Sequence, residues 1–145
     1  MLAPAAVLFP TLFLLFYVGH LAADYGAQTD RQASRKAGWT DDHGCYHHGW
    51  GPALVHAGTH VVTCAVALAL GVVLLDLAVP VVPAVLALLW IGGTHLAIDR
   101  RRPVQWWMEH TGSTDWHTRG GAAHVDQTAH VLALTVAALA LAALA

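Results

Sequence analysis

Potential metal ligands occur in pairs, four positions apart, at four places in this sequence of 145 residues. The pairs are His20 with Asp24, His56 with His60, His95 with Asp99, and Asp126 with His130. On an α-helix, residues i and i+4 lie one above the other on the same face, so each pair presents its two side chains together. Imidazoles and carboxylates that meet inside a helical bundle build metal sites, and this mixture suits zinc, manganese, iron or nickel. The spacing therefore predicts a centre for one or two divalent ions, with zinc as the first candidate.

The segments that carry these pairs have the composition of membrane helices. Hydrophobic residues make up 57% of the chain and charged residues 11%, with a mean hydropathy of +0.53, whereas a soluble domain carries about 25% charged residues. Four apolar stretches reach the roughly 17–25 residues that a transmembrane helix needs. They are about Ala5–Ala23, Ala53–Asp76, Val81–Ile98 and Val125–Ala145. We predict an all-α fold, an integral membrane four-helix bundle that forms a single domain over residues 1–145. Its partner is the lipid bilayer, and the net charge of -2 gives no indication of nucleic-acid binding.

The basic residues predict how the bundle is oriented. A tight turn at Leu77–Val79, with Pro80 starting the next helix, joins the second and third spans. The longer loops Tyr25–Pro52 and Arg100–His124 therefore share the opposite side. All seven Lys and Arg residues lie in these two loops, namely Arg31, Arg35, Lys36, Arg100, Arg101, Arg102 and Arg119. The positive-inside rule then places both loops in the cytoplasm and both termini outside.

A short internal repeat indicates that the bundle is two tandem helical hairpins. Gly19–Asp24 reads GHLAAD and Thr94–Asp99 reads THLAID, while His56–Val62 resembles Asp126–Leu132. Each hairpin supplies a pair at the end of its first helix and a pair at the start of its second. Tandem membrane repeats place shared sites at the interface between their halves. We therefore expect all four pairs to meet near the cytoplasmic leaflet.

Two arrangements of these ligands remain open, beside a purely structural one. In the structural alternative, each histidine hydrogen-bonds the aspartate one turn away and holds helices together. A dinuclear centre would take the ligands of one hairpin per ion, with a bridging carboxylate. A mononuclear centre would take three or four ligands and leave the other carboxylates to orient histidines.

Further polar residues suggest how such a centre would act. A bound metal ion lowers the pKa of water and polarises a substrate, and Asp24 or Asp99 would then serve as general base. Arg100 and Arg101 follow Asp99 directly, so they are candidates to bind phosphate. An equally weighted alternative is that they only orient the helix in the membrane through the positive-inside rule. Gln28 and Gln127 are candidate substrate ligands beside the pairs. The loop residues His43, Cys45, His47 and His48 match no standard zinc spacing, and we interpret them as ordinary loop residues.

These motifs resemble a small membrane family of bacteria and their phages whose function is unknown. The resemblance rests on His-x3-Asp-x3-Gln at His20–Gln28, His-x3-Asp at His95–Asp99 and Asp-Gln-x2-His at Asp126–His130. More distantly, the layout is similar to predicted membrane-bound metal-dependent hydrolases, which look related to zinc-dependent phospholipase C. The resemblance implies a multi-pass protein of the bacterial inner membrane and no established activity.

Three functions follow as hypotheses. The first is a membrane-embedded metal-dependent hydrolase that acts on a phosphoester or a lipid headgroup at the cytoplasmic leaflet. The second is a non-enzymatic metal-binding module, such as a sensor, a store or an ion or proton relay, which needs a polar route across the membrane. The third is a membrane di-iron oxygenase, which ranks last because only His56 and His60 fit the His-x3-His motif of those enzymes.

Overall fold

Apart from one short hairpin of strands, the fold is built of helices. A computed structural model describes residues 5–145. Two of its helices join short π-helical segments, at Ala22–Ala27 and His117–Gly121. The elements are α1 (Ala5–Leu21), α2 (Asp30–Arg35), β1 (Trp39–Thr40), β2 (Tyr46–His47), α3 (Trp50–Leu75), α4 (Val81–Ile98), α5 (Arg102–His110), α6 (Thr114–Trp116) and α7 (Ala122–Leu144).

The four long helices α1, α3, α4 and α7 form the predicted bundle. Helix α1 packs against α3 and α7, and α4 packs against the same two helices, so that the four make a closed ring. Each of the four, with its continuous extensions, is long and apolar enough to cross a membrane. Large hydrophobic side chains such as Val62, Leu89 and Leu132 are exposed on the outer surface of the bundle. This pattern is expected where lipid replaces water as the solvent, and it indicates a multi-pass membrane protein.

The helix boundaries differ from the predicted spans mainly at the end that carries the histidines. The first span continues past Ala23 as the π-helical segment Ala22–Ala27, and α7 begins at Ala122, three residues before the predicted start. Helix α3 begins at Trp50, while α4 has the predicted bounds Val81–Ile98. The polar pairs therefore lie within continuous helix, or directly at its end, and not in loops.

Both long loops contain secondary structure of their own. In the first, a capping box between Thr29 and Gln32 starts α2, and β1 pairs with β2 in antiparallel register. In the second, α5 is amphipathic: Val104 and Met108 are buried, whereas Trp106 and Trp107 are exposed. Exposed tryptophans beside a membrane bundle are typical of the interface with lipid headgroups. The loops thus fold over one end of the bundle.

An apolar core fills the bundle between that end and the opposite ends of the four long helices. Buried residues from all four long helices make one cluster, which includes Leu12, Phe16, Leu68, Ile91, Leu134 and Leu141. The start of α1 and the end of α7 lie together at the far end of this cluster, because Leu8 and Ala142 both belong to it. The membrane side on which they lie stays a prediction of the positive-inside rule.

Gly19 allows α1 and α3 to approach closely beside the polar end. A Cβ atom at this position would lie 2.9 Å from the Cα and 3.0 Å from the backbone nitrogen of Cys64. Only a residue without a side chain fits at such a distance, since backbone atoms cannot move aside separately. The next residue, His20, is thereby brought against His60 of α3, with their Nδ1 atoms 3.2 Å apart.

We predict that Gly19→Ala destabilises the bundle by about 1–3 kcal/mol, because the added methyl group forces α1 away from α3. Thermal unfolding of the detergent-solubilised protein measures the change. Gly93→Ala is the matched control, since a Cβ at Gly93 meets nothing within 4 Å. Equal melting temperatures for Gly19→Ala and the wild type would show that the helices do not require this close contact.

Candidate metal centre

The four predicted pairs meet at one end of the bundle. The imidazoles are almost fully buried, with exposed fractions of 0–3%, and they come from α1, α3, α4 and α7. They are His20, His56, His60, His95 and His130. The side chains of Asp24 and Asp99 are 8% and 4% exposed. A carboxylate buried to this extent in a lipid-surrounded bundle needs hydrogen-bond donors or a positive charge beside it.

Asp24 lies at the centre of the first half of the site. Its position in the π-helical segment Ala22–Ala27, which has a wider turn than an α-helix, is a common feature of functional sites. One carboxylate oxygen, Oδ1, lies 3.2 Å from Nε2 of His56 and 3.1 Å from Nε2 of His60. The other, Oδ2, lies 3.2 Å from Nε2 of His20. Asp24 therefore joins α1 to α3.

Asp99 has the corresponding position between α4, α3 and α7. Its Oδ2 lies 3.1 Å from Nε2 of His95 and 3.5 Å from Nε2 of His56. Its Oδ1 lies 3.7 Å from Nε2 of His130, which also lies 3.4 Å from Oδ2 of Asp126. The two halves of the site are therefore continuous through His56 and His95.

Two groups of these side chains have the spacing of metal ligands. One contains Asp24, His56, His60 and His95, and the other contains His95, Asp99 and His130. Within each group, one ligand atom per residue lies within 4.8 Å of every other, which is compatible with a bound metal ion. His20 and Asp126 lie outside both groups, although each contacts a member.

The contacts of His20 and His60 favour one arrangement of their protons. Their Nδ1 atoms are 3.2 Å apart, so one ring must donate and the other accept. A neutral imidazole carries one N–H, so the donating ring has no proton left on Nε2. Both Nε2 atoms nevertheless lie within 3.2 Å of an Asp24 oxygen. When His20 is the donor, His60 keeps a proton on Nε2 for Asp24, and the bare Nε2 of His20 is the one that makes no hydrogen bond with any residue in the range 5–145.

Three histidines approach a carboxylate without a hydrogen bond. The Nε2 atoms of His20, His95 and His130 are buried, and none makes a hydrogen bond with any residue in the range 5–145. Each nevertheless lies near a carboxylate oxygen one turn away, at 3.2, 3.1 and 3.4 Å respectively. Hydrogen-bonded pairs point at each other, whereas metal ligands point at a shared third atom. The structural alternative of three simple His–Asp hydrogen bonds does not describe this geometry.

The two predicted glutamines contact site residues. Nε2 of Gln28 lies 2.7 Å from Nε2 of His56, and Nε2 of Gln127 lies 3.4 Å from Oδ2 of Asp24. Gln28 and Gln127 also line a small cavity of about 120 Å³ that reaches Asp24, Asp99 and Asp126. Their roles as substrate ligands stay predictions.

Lys36 is a site residue that the sequence analysis missed. Its Nζ lies 2.9 Å from Oδ2 of Asp99, and its side chain is only 14% exposed. The sequence marks Lys36 only as one of several basic loop residues, because its partner lies 63 positions away and belongs to another helix. The fold of the Tyr25–Pro52 loop brings the ammonium group to the carboxylate.

The two predicted phosphate-binding arginines separate in the structure. Nη1 of Arg100 donates to the carbonyl oxygen of Lys36 at 2.7 Å, and its guanidinium lies 4.4 Å from the ring centre of Trp50. Arg100 thus holds the two loops together. Arg101 instead lines a cavity of about 390 Å³ together with Asp99 and Asp126. Its φ of +61° is a left-handed conformation that costs a non-glycine residue about 1–3 kcal/mol, and such outliers cluster at functional sites.

The loop histidines make contacts within their own hairpin, as expected for ordinary loop residues. Nε2 of His47 lies 2.9 Å from Oδ2 of Asp41, and the His47 ring stacks on Trp39. This hydrogen bond, followed by one from the Cys45 backbone N–H, holds the pKa of Asp41 below its usual value. His43 and Cys45 are exposed. The metal-ligand groups found in the described residues include none of them.

We predict that Lys36→Met destabilises the metal-free protein by about 3 kcal/mol, because Asp99 stays buried without its ion-pair partner. Zinc should restore most of the lost stability by supplying the positive charge. Thermal unfolding in detergent, with EDTA or with zinc, measures both effects, and Lys36→Arg is the control that retains the charge. Equal destabilisation in EDTA and in zinc would contradict this interpretation.

Sequence comparison places the chain in a family. Residues 12–145 match the family described as protein of unknown function, DUF3307. Comparisons with curated proteins and with solved structures gave no match. The matched region contains α3, α4 and α7 entirely and all members of both metal-ligand groups. The chain therefore belongs to the DUF3307 family, whose function is unknown, and this is consistent with the small family of unknown function that its motifs resemble.

Proposed function

We propose that the chain is a membrane-embedded, metal-dependent hydrolase with a His/Asp centre at the cytoplasmic ends of its helices. The meeting of four imidazoles and two carboxylates in two groups with the spacing of metal ligands carries this proposal. Two of these imidazoles, those of His95 and His130, have a buried Nε2 atom that makes no hydrogen bond with any residue in the range 5–145, so its lone pair is available to bind a metal ion. A divalent cation uses the same lone pairs as ligands.

Asp24, His56, His60 and His95 form the first ion position in this proposal. Three imidazoles and one carboxylate suit zinc, which prefers four ligands in a tetrahedron. His95, Asp99 and His130 form a second position, whose three ligands leave a fourth place for water. Because one imidazole nitrogen binds one ion, His95 belongs to only one of the two positions when both are filled, and the centre takes one or two ions. His20 orients Asp24 and His60 from outside, as residues beside metal ligands commonly do.

A divalent ion held by these residues would lower the pKa of a water molecule and polarise a phosphoryl oxygen. In phosphoester hydrolysis, the water oxygen bonds to phosphorus, the bond from phosphorus to the alcohol oxygen breaks, and the alcohol leaves protonated. The general base takes one proton from the water and returns it to the alcohol oxygen, while the second proton stays on the phosphate. Asp126 suits this role better than Asp24 or Asp99, because it is 23% exposed and lines both the cavity of about 390 Å³ and the cavity of about 120 Å³. Asp24 and Asp99 are needed as ligands.

The apolar core supports a hydrolase over an ion or proton relay. A relay needs polar groups or water along its whole path. Directly beyond the centre, the described part of the bundle is closed by Leu12, Phe16, Ile91 and Leu134, which are 0–2% exposed. Substrate can reach the centre from the loop end, where the cavities lie, and this suits a reaction at one membrane surface.

We predict that the purified protein contains zinc and that His95→Ala removes it, because His95 belongs to both ligand groups. His20→Ala should weaken zinc binding by roughly 10–100-fold without abolishing it. Elemental analysis of the detergent-purified protein measures the content, and His43→Ala is the control. A wild-type protein that neither contains nor takes up metal contradicts the proposal. Iron in place of zinc would favour the oxygenase hypothesis.

We predict that Asp126→Asn lowers kcat for a phosphoester by about 10²–10⁴-fold while the zinc content stays unchanged, because only the proton acceptor is lost. Release of p-nitrophenol from p-nitrophenyl phosphate or its diester in mixed micelles provides the assay. Asp115→Asn, at an exposed position of α6, is the control. Wild-type rates in Asp126→Asn would exclude Asp126 as the base.

A further inference from the structure

Two cavities of similar size lie side by side at the loop end of the bundle. The first, of about 390 Å³, is called the polar cavity after the charged groups on its wall. Lys36, Arg101 and His117 line it together with the carboxylates Asp99 and Asp126, beside Val104, Ala122 and Ala123. The second, of about 370 Å³, is apolar, and its lining includes Ile98, Pro103, Val104, Trp107, Ala129 and Leu132. Val104 lines both cavities.

Neighbouring residues along the chain line different cavities. Asp99 lines the polar cavity and Ile98 the apolar one, and the same holds for Asp126 and Val125. The end of α4 and the start of α7 therefore form parts of both walls. A single molecule with a polar end and an apolar end can occupy both spaces across Val104.

The apolar cavity lies on the lipid-facing surface of the protein. Leu132 of α7 is 60% exposed and Trp107 of α5 is 56% exposed. Leu132 lies two residues after the ligand His130 in a membrane-spanning helix, and Trp107 belongs to the amphipathic α5. Lipid chains therefore reach this groove laterally, without passing through water.

The polar cavity has the charges that recognise phosphate. Lys36 and Arg101 bring an ammonium and a guanidinium group, which are the common protein ligands of phosphate oxygens. Asp99 and Asp126 on its wall repel an anion unless a metal ion offsets them. Phosphate is thus favoured on the cation side of the cavity, next to the metal centre.

We propose that the two cavities together bind one membrane lipid with a phosphate headgroup, which is the substrate class of the hydrolase. The phosphate lies between Arg101, Lys36 and the metal centre, and an acyl chain lies in the groove between α4, α5 and α7. This inference rests on the proposed function for the identity of the reaction. The lipid-binding geometry is testable by itself.

Native mass spectrometry of the zinc-loaded protein in detergent tests the binding of dioleoyl phosphatidic acid and of dioleoylglycerol. We expect the phosphate-bearing lipid to bind at least about tenfold more tightly, because charged hydrogen bonds supply the difference. Arg101→Gly should remove most of this preference, and Arg101→Lys should retain it. Glycine also relieves the left-handed backbone strain at this position, so we expect the variant to fold. An unchanged preference in Arg101→Gly would overturn the phosphate assignment.

The groove is tested by filling it. Ala129→Trp should weaken the binding of both lipids, whereas Val62→Trp, on the exposed face of α3, should leave it unchanged. Inorganic phosphate serves as a second probe. If it displaces the lipid completely and Ala129→Trp has no effect, free phosphate is the ligand and the lipid assignment is wrong.

A crosslinking measurement on the wild-type protein needs no variant. Phosphatidic acid with a diazirine in its acyl chain should label Ile98, Trp107 or Leu132, and labelling confined to other faces of the bundle would overturn the inference. Zinc content is measured in the same samples. Protein without metal that still labels in the groove would contradict the proposed function and leave the lipid site standing. Zinc-loaded protein without groove labelling would overturn the lipid site and leave the metal centre standing.

Discussion

Two carboxylates inside a lipid-surrounded bundle impose the constraint on which the rest of this structure depends. Asp24 and Asp99 are nearly inaccessible to water, and an uncompensated charge in such a place is strongly unfavourable. Asp24 is met by histidines of α1 and α3, and Asp99 by His95 and by Lys36 from the first loop. All four long helices therefore bring polar groups to one end, and their relative positions there are defined to within a few ångströms.

The remainder of the bundle is arranged so that this convergence is possible. Gly19 lets α1 lie directly on the backbone of α3, which brings His20 to His60. Trp90 of α4 donates its indole N–H to the carbonyl oxygen of Ala133 at 3.0 Å, which ties α4 to α7 just beyond the site. Farther from the polar end, the buried core cluster consists of apolar residues. In a membrane, close packing and such interhelical hydrogen bonds replace the hydrophobic effect as the forces between helices.

The position of the polar end explains why chemistry at a membrane surface is the function that we favour. The centre is closed toward the middle of the bundle by leucine and phenylalanine side chains and reached by cavities at the loop end. One cavity is lined by both cations and carboxylates, and its neighbour is apolar and faces lipid. Such a pair of spaces matches an amphiphile that is already in the bilayer better than a solute from water.

Much of this arrangement is local and was therefore determined by the sequence alone. Apolar length defines the spans, i to i+4 spacing defines the pairs, and an even number of spans with one tight turn brings the pairs to one side. The tertiary structure alone decided three other features. They are the π-helical turn at Asp24, the contact of Arg100 with Trp50 and the ion pair of Lys36 with Asp99. These features depend on how irregular loops fold over the helix ends and on which side chains reach across helices. Helical periodicity carries no information about contacts between residues 63 positions apart.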